Sequence, residues 1–465
     1  MFYEHLHHLT ISRDDCLDYY WRCASAASPR LLLPRHSTDL QSEKAGSATE
    51  VTKMATFPDV VVVGGGLAGL SAAVEVVKRG GSVLVLEKSE RLGGNSGKAS
   101  SGMNAARSGP QLASGIEDKL EDFAKDTEKS GKGLSDMALV DVIVKQSADA
   151  VAFLEGFQID LSSIAQLGGH SHPRTHRSKP DGKPMNIGFR IMSVLIKYVE
   201  ALPADKAKVV KQARVTALLT DDSGAVTGVK YETPAADGSG GKEETEVKAS
   251  AVILATGGYS ADKAEGGLLD QHTPKLRNLA TTNGPFATGD GVRLAHLTLF
   301  LQTPLSSVLV THFSSLPSSP VPPPLRPGVL YPPQFDSVEA LSEGTKLPAA
   351  NVKAALDAYG HHDAEKGDPF GKTVFPVLFN SSEPPLYVAI ITPSLHYCMG
   401  GLKFDTSGRI LKEDGSPIPG LFGAGEVTGG LHGANRLGGN SLLECVVYGR
   451  VAGISAFDRI GKSAV

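Results

Sequence analysis

Three glycines and one carboxylate have the spacing of a dinucleotide-binding turn. Gly64, Gly66 and Gly69 follow an apolar run, and Glu87 ends the next one. The first glycine permits a tight turn, the second lets the backbone approach a pyrophosphate, and the third allows a helix to pack closely on a strand. The helix N-terminus favours phosphate, and Glu87 can accept hydrogen bonds from ribose hydroxyls. The pattern predicts dinucleotide binding; a purely structural glycine turn is the alternative.

Small-residue loops recur along the chain. Residues 93–96 and 99–104 follow Glu87 closely, and residues 255–258 follow another apolar run. Asp290 and Glu426 each stand among glycines, where a carboxylate suits ribityl or ribose hydroxyls. These segments predict backbone close to the same ligand, although each alone could be a turn.

Arg436 and His396 have the chemistry of an anion site. Arg436 lies in the segment Asn-Arg-Leu-Gly-Gly-Asn, and His396 lies just before Met-Gly-Gly. A planar guanidinium can bind a carboxylate through two hydrogen bonds, and small neighbours let the ligand approach. Together the two side chains predict a dicarboxylate site. An ordinary surface or core hydrogen bond is the alternative for each.

These residues need a parallel sheet to position them. Residues 59–63, 67–79 and 82–87 read as strand, helix and strand, which predicts a βαβ unit. We further expect helices near 116–130, 135–156 and 338–359, hairpin-like strands over 209–254, and strands around 386–411. The overall prediction is an α/β fold.

Composition excludes several classes of protein. The chain has 465 residues, 41% of them hydrophobic, and a net charge of −4. This balance is typical of a soluble globular protein and gives no electrostatic signal for nucleic acid or anionic membrane. Four scattered cysteines without a Cys-x-x-Cys pair predict neither a zinc site, an attached haem nor a disulfide framework, and they favour a reducing compartment.

Two segments carry little pattern. Residues 1–54 resemble neither a signal peptide nor a good transit peptide, and we expect a disordered extension, with Met54 as an alternative start. No charged residue occurs between Arg293 and Arg326, but Gln302 and Pro304 interrupt this tract too early for a membrane span. We therefore predict no span.

Seven segments together are similar to a known family. The chain resembles the flavoproteins of fumarate reductases and succinate dehydrogenases, and particularly the soluble, single-chain eukaryotic fumarate reductases, in PDVVVVGGGLAGLSAA, GGNSGKASSGMNAA, GGHSHPRTHR, ATGGYS, ATGDGVRLA, HYCMGG and LFGAGEVTGGLHGANRLGGNSL. The resemblance implies a glutathione-reductase-like, Rossmann-type FAD-binding domain over 55–296 and 396–465. It also implies an inserted, shortened capping domain over 297–395, with the active site between the two.

The same resemblance implies a set of residues around FAD. They are Gly64, Gly66, Leu67, Ala68, Gly69, Glu87, Lys88, Gly93, Gly94, Asn95, Ser96, Ser100, Ser101, Gly102, Val215, Asp290, Glu426, Ser441 and Leu442. Covalently flavinylated relatives have a linking histidine where this chain has Asn95, so the resemblance implies non-covalent FAD.

For the reaction, the resemblance implies reduction of fumarate to succinate. His396 and Arg436 would act as the catalytic pair that holds the substrate carboxylates, with backbone near Ser101 and Gly439 alongside. The protein would orient the substrate and stabilise charge while the flavin carries the redox step. Because the chain has no haem motif, NADH or a reduced flavin carrier is the expected donor.

Two features leave alternatives open. The family's proton-donating arginine element is not recognisable, and Arg326 is a weak candidate to replace it. Reduction of another unsaturated acid, or FAD binding with impaired catalysis, are therefore alternatives. His170, His172, Arg174, His176 and Arg177 could form a metal cluster, but we favour a phosphate-binding or structural anion-facing loop near the flavin and predict no metal. Cytoplasm and mitochondrion both remain open.

Overall fold

The computed structural model describes residues 58–179, 186–235, 239–299, 308–310, 314–315, 334–360, 386–387, 391–392 and 394–461. The predicted N-terminal extension with Met54, and Arg326 with most of the uncharged tract, lie outside the described residues. The chain forms two compact units. Of the described residues, the smaller unit contains 315, 334–353 and 386–387, and the larger unit contains all the others.

The described part of the chain contains both strands and helices. The strands are β1 (Val60–Val63), β2 (Val83–Glu87), β3 (Met103–Asn104), β4 (Ser163–Ala165), β5 (Thr175–Arg177), β6 (Ala207–Lys211), β7 (Arg214–Thr220), β8 (Val226–Pro234), β9 (Lys242–Lys248), β10 (Ala251–Leu254), β11 (Ala280–Thr281), β12 (Val308–Val310), β13 (Ser314–Ser315), β14 (Gln334–Phe335), β15 (Leu386–Tyr387), β16 (Ile391–Thr392), β17 (Ser394–Cys398), β18 (Arg409–Leu411) and β19 (Pro417–Gly423). The α-helices are α1 (Leu67–Lys78), α2 (Gly109–Ala113), α3 (Leu120–Ser130), α4 (Met137–Lys145), α5 (Ser147–Glu155), α6 (Ile187–Glu200), α7 (Leu268–His272), α8 (Asp290–Leu299), α9 (Val338–Thr345), α10 (Ala349–Gly360) and α11 (Asn440–Ile460). Two 3₁₀ helices cover Gly94–Lys98 and Pro274–Leu276.

A six-stranded sheet forms the centre of the larger unit. Its strand order is β18-β19-β10-β1-β2-β6, with β18 antiparallel at one edge and the other neighbours parallel. Val60 pairs with Val83 on one side and Ala251 on the other. The whole of β1 is buried, as expected for a parallel strand covered on both faces. The predicted α/β fold and its βαβ start are confirmed.

Helices α1 and α11 pack against each other at unusually short range. A Cβ at Gly449 would lie 2.5 Å from the Ala68 carbonyl oxygen, and one at Gly453 would lie 2.6 Å from that of Ala72. The two glycines are one helical turn apart, so they form one continuous contact strip on α11. This contact places the N-termini of both helices beside the same end of the sheet.

Three predicted helices differ in their bounds. The helix expected over 116–130 begins at Leu120, because Lys119 is extended. The one expected over 135–156 is divided at Gln146 into α4 and α5. The one expected over 338–359 is divided into α9 and α10, because Lys346 adopts a left-handed conformation (φ 65°) and Pro348 cannot donate a backbone hydrogen bond.

Smaller sheets carry individual site residues. The predicted hairpins over 209–254 are confirmed as the antiparallel sheet β7-β8-β9 followed by β10. Strand β17 pairs in parallel with β11 and antiparallel with β12. In the smaller unit, β14 pairs antiparallel with β15, and the Ser337 side chain caps α9.

Among the described helices, none has the length and apolar character needed to cross a membrane.

Candidate active site

A cavity of about 670 Å³ lies at the carboxyl ends of the central parallel strands. Val63, Glu87 and Ala255, which end or follow β1, β2 and β10, all line it. Ligands of doubly wound sheets bind at this edge because the strand ends open into a crevice there. The position of the cavity therefore makes it the candidate ligand site.

The glycine turn before α1 forms one wall of the cavity. Gly64 has φ +111°, and a Cβ there would lie 2.4 Å from the Ala255 carbonyl oxygen. At Gly66, by contrast, no described atom lies within 4 Å of a Cβ position, so its backbone faces open space. No acidic residue occupies the first turn of α1. The exposed N–H groups and the helix dipole fit a phosphate group here.

Glu87 is buried at the end of β2 and borders the same space. Its Oε2 accepts a hydrogen bond from the Gly65 N–H (2.9 Å), and its Oε1 accepts one from the Ser89 N–H (2.8 Å). Each carboxylate oxygen keeps a second lone pair that can accept from a hydroxyl. The geometry fits the ribose-binding role predicted for this residue.

Asp290 begins α8 at another part of the wall. Lys88 Nζ lies 3.0 Å from Asp290 Oδ2, and the Thr288 hydroxyl lies 2.6 Å from Oδ1. Burial alone would raise the pKa of Asp290, but the Thr288 hydrogen bond and the Lys88 charge outweigh it and lower the pKa below its usual value. Asp290 is therefore a carboxylate at neutral pH.

Arg436 presents a guanidinium to the cavity with unused hydrogen-bonding capacity. Its Cζ lies 4.6 Å from the centre of the Tyr397 ring, and its Nη1 donates to the Leu437 carbonyl (3.3 Å). Arg436 Nε is buried with no hydrogen-bond partner among the described residues, and so is the cavity-lining Thr256 Oγ1. A buried donor without a partner is costly, so these atoms fit a polar ligand in the cavity.

His396 lies on β17 and also lines the cavity. Its Nδ1 is 2.6 Å from the Thr282 hydroxyl, which leaves Nε2 as the ring nitrogen facing away from Thr282. The side-chain amide of Asn283 donates to the His396 carbonyl oxygen (3.1 Å). The ring and its backbone are thus both held by the segment that follows β11.

Glu426 lies beside these residues with an unusual protonation equilibrium. Its Oε1 accepts from the Cys398 N–H at 2.9 Å. Burial raises the pKa of Glu426 to about 7, although the Cys398 hydrogen bond and the Arg436 charge oppose the rise. The carboxyl group can therefore donate or accept a hydrogen bond near neutral pH.

Most residues predicted around FAD line this one cavity. They are Gly64, Gly66, Leu67, Ala68, Glu87, Lys88, Gly94, Asn95, Ser96, Ser100, Ser101, Gly102, Val215, Asp290, Glu426, Ser441 and Leu442, and the predicted substrate residues His396, Arg436 and Gly439 join them. Gly69 and Gly93 do not line it. Gly69 lies where α1 meets the turn, since a Cβ there would be 2.0 Å from the Gly64 carbonyl oxygen, and the Gly93 N–H donates to Gly65 (2.9 Å). Both glycines support the residues that form the cavity wall without lining the cavity themselves.

Sequence reasoning missed several lining residues. Thr282 and Asn283 lie in no recognised binding pattern, because the pairing of β11 with β17 brings them to the site. Tyr397 also lines the cavity and lies in the HYCMGG segment already singled out, but it was given no role. Thr256 had a signal, since it lies in the Ala-Thr-Gly-Gly segment already singled out. In the His/Arg loop, Arg174 is fully buried and faces the carboxylates of Asp118 and Asp126, which fits the structural, anion-facing alternative predicted for this loop.

Known proteins are similar to this chain in sequence and in structure. The chain matches a family described as FAD binding domain over residues 59–332 and 339–442. The fumarate reductase of Schizosaccharomyces pombe is 34% identical to it over 85% of this chain and 88% of that protein. The NADH:fumarate oxidoreductase of Klebsiella pneumoniae is 30% identical over 90% of this chain and 50% of that protein. The open conformation of a flavocytochrome c3 fumarate reductase matches with a TM-score of 0.67 and 29% identity over 87% of this chain and 79% of that one.

Proposed function

The chain belongs to the FAD-binding family of fumarate reductase flavoproteins, as its motif segments predicted, and on that basis we propose that it reduces fumarate to succinate with FAD as cofactor. The observation that carries this proposal is the placement of Arg436 and His396 in the same cavity as the dinucleotide turn. A dicarboxylate needs donors at both ends, and these two side chains provide them.

The cavity wall fits FAD along its length. The N-terminus of α1 suits the pyrophosphate, Glu87 suits a ribose, and Asp290 and Glu426 can accept from other hydroxyls. The N-terminus of α11, with no acidic residue in its first turn, favours negative charge at another place on the wall. When bound, FAD would supply hydride transfer from its reduced ring to one alkene carbon, and a proton added to the other carbon would complete succinate.

The chain's own residues bind and orient the substrate. Arg436 can clamp one carboxylate with its planar fork, and the Tyr397 ring beneath restricts how the guanidinium turns. His396 can donate to the other carboxylate, with its ring fixed through Nδ1 by Thr282. Hydrogen-bond donors at both carboxylates withdraw electron density from the double bond and hold its carbons in one orientation.

The same proposal includes non-covalent binding of FAD, the identity of the electron donor and the limits of the domains. Asn95 carries no nucleophile for a flavin linkage, and its Oδ1 already accepts from the Gly284 N–H (2.9 Å). We take NADH or a reduced flavin as the electron donor. We place the protein in the cytoplasm or the mitochondrion. We assign the capping domain to residues 297–395. The name of the Klebsiella relative supports NADH, although this chain spans half of that protein.

The test is anaerobic reoxidation of the photoreduced flavin on adding fumarate, followed by absorbance. We expect reoxidation in the parent and a loss of roughly 100-fold or more in Arg436→Ala, because a charged hydrogen-bonded clamp is removed. Arg409→Ala, which removes an exposed arginine paired with Asp405, is the matched control.

Each other outcome has a meaning. If the reduced flavin is reoxidised by another unsaturated acid but not by fumarate, the substrate is that acid rather than fumarate. One that stays reduced with every acid would mean FAD binding without the reaction, and purified protein that holds no FAD would contradict the whole proposal.

A further inference from the structure

The carbonyl oxygen of Gly438, two residues after Arg436, is held by two side-chain donors. His170 Nε2 lies 2.9 Å from it, and Asn104 Nδ2 lies 2.7 Å from it. The Asn104 amide is oriented in turn by the Thr175 hydroxyl, which donates to Oδ1 at 2.7 Å. The loop that carries the substrate arginine is therefore held at Gly438 by two side chains that do not line the cavity.

The protonation of His170 follows from its neighbours. Its Nδ1 is 3.4 Å from Arg174 Nη1, and an arginine can only donate, so Nδ1 accepts. The ring proton must then sit on Nε2, which donates to Gly438. Burial, together with the charge of Arg174, lowers the pKa of His170 to about 4, so the ring is neutral at pH 7.

Arg174 cannot easily move. Its Nε and Nη2 donate to the two oxygens of Asp118 (2.9 and 2.8 Å), and its Nη1 donates to Asp126 Oδ2 (2.6 Å). The guanidinium is fully buried, with Cζ 4.8 Å from the Phe123 ring centre. Breaking this arrangement would leave buried charges unpaired, which is strongly unfavourable.

We propose that His170, fixed by the buried Arg174, is a positioning residue for Arg436: it sets the direction of the backbone at Gly438 and so the approach of the guanidinium to a substrate carboxylate. Neither His170 nor Arg174 lines the cavity, so both act through the loop. The inference rests on the proposed function, because it needs a dicarboxylate for Arg436 to bind.

Three substitutions separate the roles of the ring. His170→Phe keeps the ring shape and removes the donor to Gly438. His170→Gln restores a donor at the distance of Nε2. His170→Asn keeps an acceptor for Arg174 but is too short to reach Gly438. His172→Phe is the control, since His172 lies in the same loop and pairs with Asp122 at 3.4 Å.

The measurements are FAD content, and kcat and KM with fumarate in the FAD-loaded enzyme. We expect His170→Phe and His170→Asn to retain FAD and to raise KM roughly 3- to 10-fold, the range given by one lost hydrogen bond, with kcat changed less than about 2-fold. His170→Gln should return KM to near the parent value, and His172→Phe should not change it. In an Arg436→Lys background, the effect of His170→Phe should shrink, because the residue it positions is altered.

The failures are distinguishable. A parent that fumarate does not reoxidise overturns the proposed function, and the inference with it. If the parent is active but His170→Phe has the same KM as the parent, the inference alone is overturned. The same holds if His170→Phe raises KM by the same factor in the parent and in the Arg436→Lys background. If His170→Phe does not fold, the result for His170→Asn decides in the same way.

Discussion

Thr282 determines how His396 faces the cavity. Its hydroxyl is 2.6 Å from His396 Nδ1, and the neighbouring Asn283 holds the His396 carbonyl. A histidine ring without such a partner samples two ring orientations, and only one of them presents Nε2 to a given ligand. If His396 binds substrate as we propose, the threonine contributes to that binding without needing to contact the substrate.

Thr282→Val should raise KM for fumarate roughly 3- to 10-fold with FAD content unchanged, because valine keeps the shape and removes one hydrogen bond. Steady-state kinetics with a flavin absorbance spectrum check this. Thr216→Val, on β7 and bonded to the Lys230 carbonyl, is the control for a threonine-to-valine change away from His396. Equal KM values in Thr282→Val and the parent would contradict the role assigned to the hydroxyl.

Local patterns explain what could be predicted at this scale. Gly64, Gly66 and Glu87 lie within one βαβ unit, so short sequence spacing fixes their arrangement. Thr282 and His396 are 114 residues apart and meet through strand pairing, which no local spacing encodes. Likewise, the sequence predicted an anion-facing loop around Arg174 but could not identify Asp118 as its partner, because Asp118 lies 56 residues earlier.

At the scale of elements, the contact between α1 and α11 shapes the cavity. Ala68 lines the cavity and touches the Gly449 position of α11. Because α1 points its N-terminus at the predicted pyrophosphate site, the spacing of the two helices also sets the position of the phosphate-binding N–H groups. Their packing thus links stability to cofactor retention.

Gly449→Val should therefore lower stability by about 1–3 kcal/mol, the usual cost of overpacking, and should also lower the FAD content of purified protein. Thermal unfolding and flavin absorbance per protein measure both effects. Ser455→Val places a β-branched residue on the same helix and controls for its intrinsic cost there. Loss of stability equal to that of Ser455→Val, with full FAD content, would show that the close contact is unimportant.

Element bounds show where local signals fail. The split of the helix expected over 338–359 had a signal in Pro348, whereas the left-handed Lys346 had none, since lysine rarely adopts that conformation. The division at Gln146 lacks a glycine or proline. There the Ser147 hydroxyl bonds to the Val144 carbonyl and accepts from the Ala106 N–H, so tertiary contacts override a continuous helical pattern.

At the scale of the whole molecule, the buried Arg174–His170 network makes stability depend on pH. The ordinary pKa of His170 is 6.5, and burial lowers it to about 4 in the folded chain. Between these values the unfolded chain binds a proton that the folded chain does not. The contribution of His170 to the free energy of unfolding is therefore fully present above about pH 6.5 and is lost as the pH falls toward 4.

His170→Gln should remove that dependence. Between pH 7 and pH 4.5, the parent should lose up to about 3 kcal/mol more stability than the variant. Denaturant unfolding of the FAD-saturated proteins at both pH values measures the difference, and His172→Gln serves as control. Parallel pH profiles for parent and His170→Gln would contradict the assignment of this loss to His170.

The strand order of the central sheet has a consequence for synthesis on the ribosome. Strand β1 lies between β2 and β10 in the sheet, and β2 is translated soon after β1. The other neighbour of β10 is β19, which is translated much later. Helix α11, which packs on α1, is translated after β19. At about 5–20 residues per second, α1 would wait roughly 20–80 s for its partner helix. During that time the apolar faces of β1 and β10 lack their final cover. The nascent chain should therefore depend on chaperones until residue 460 has left the exit tunnel, and it should acquire FAD only after that point.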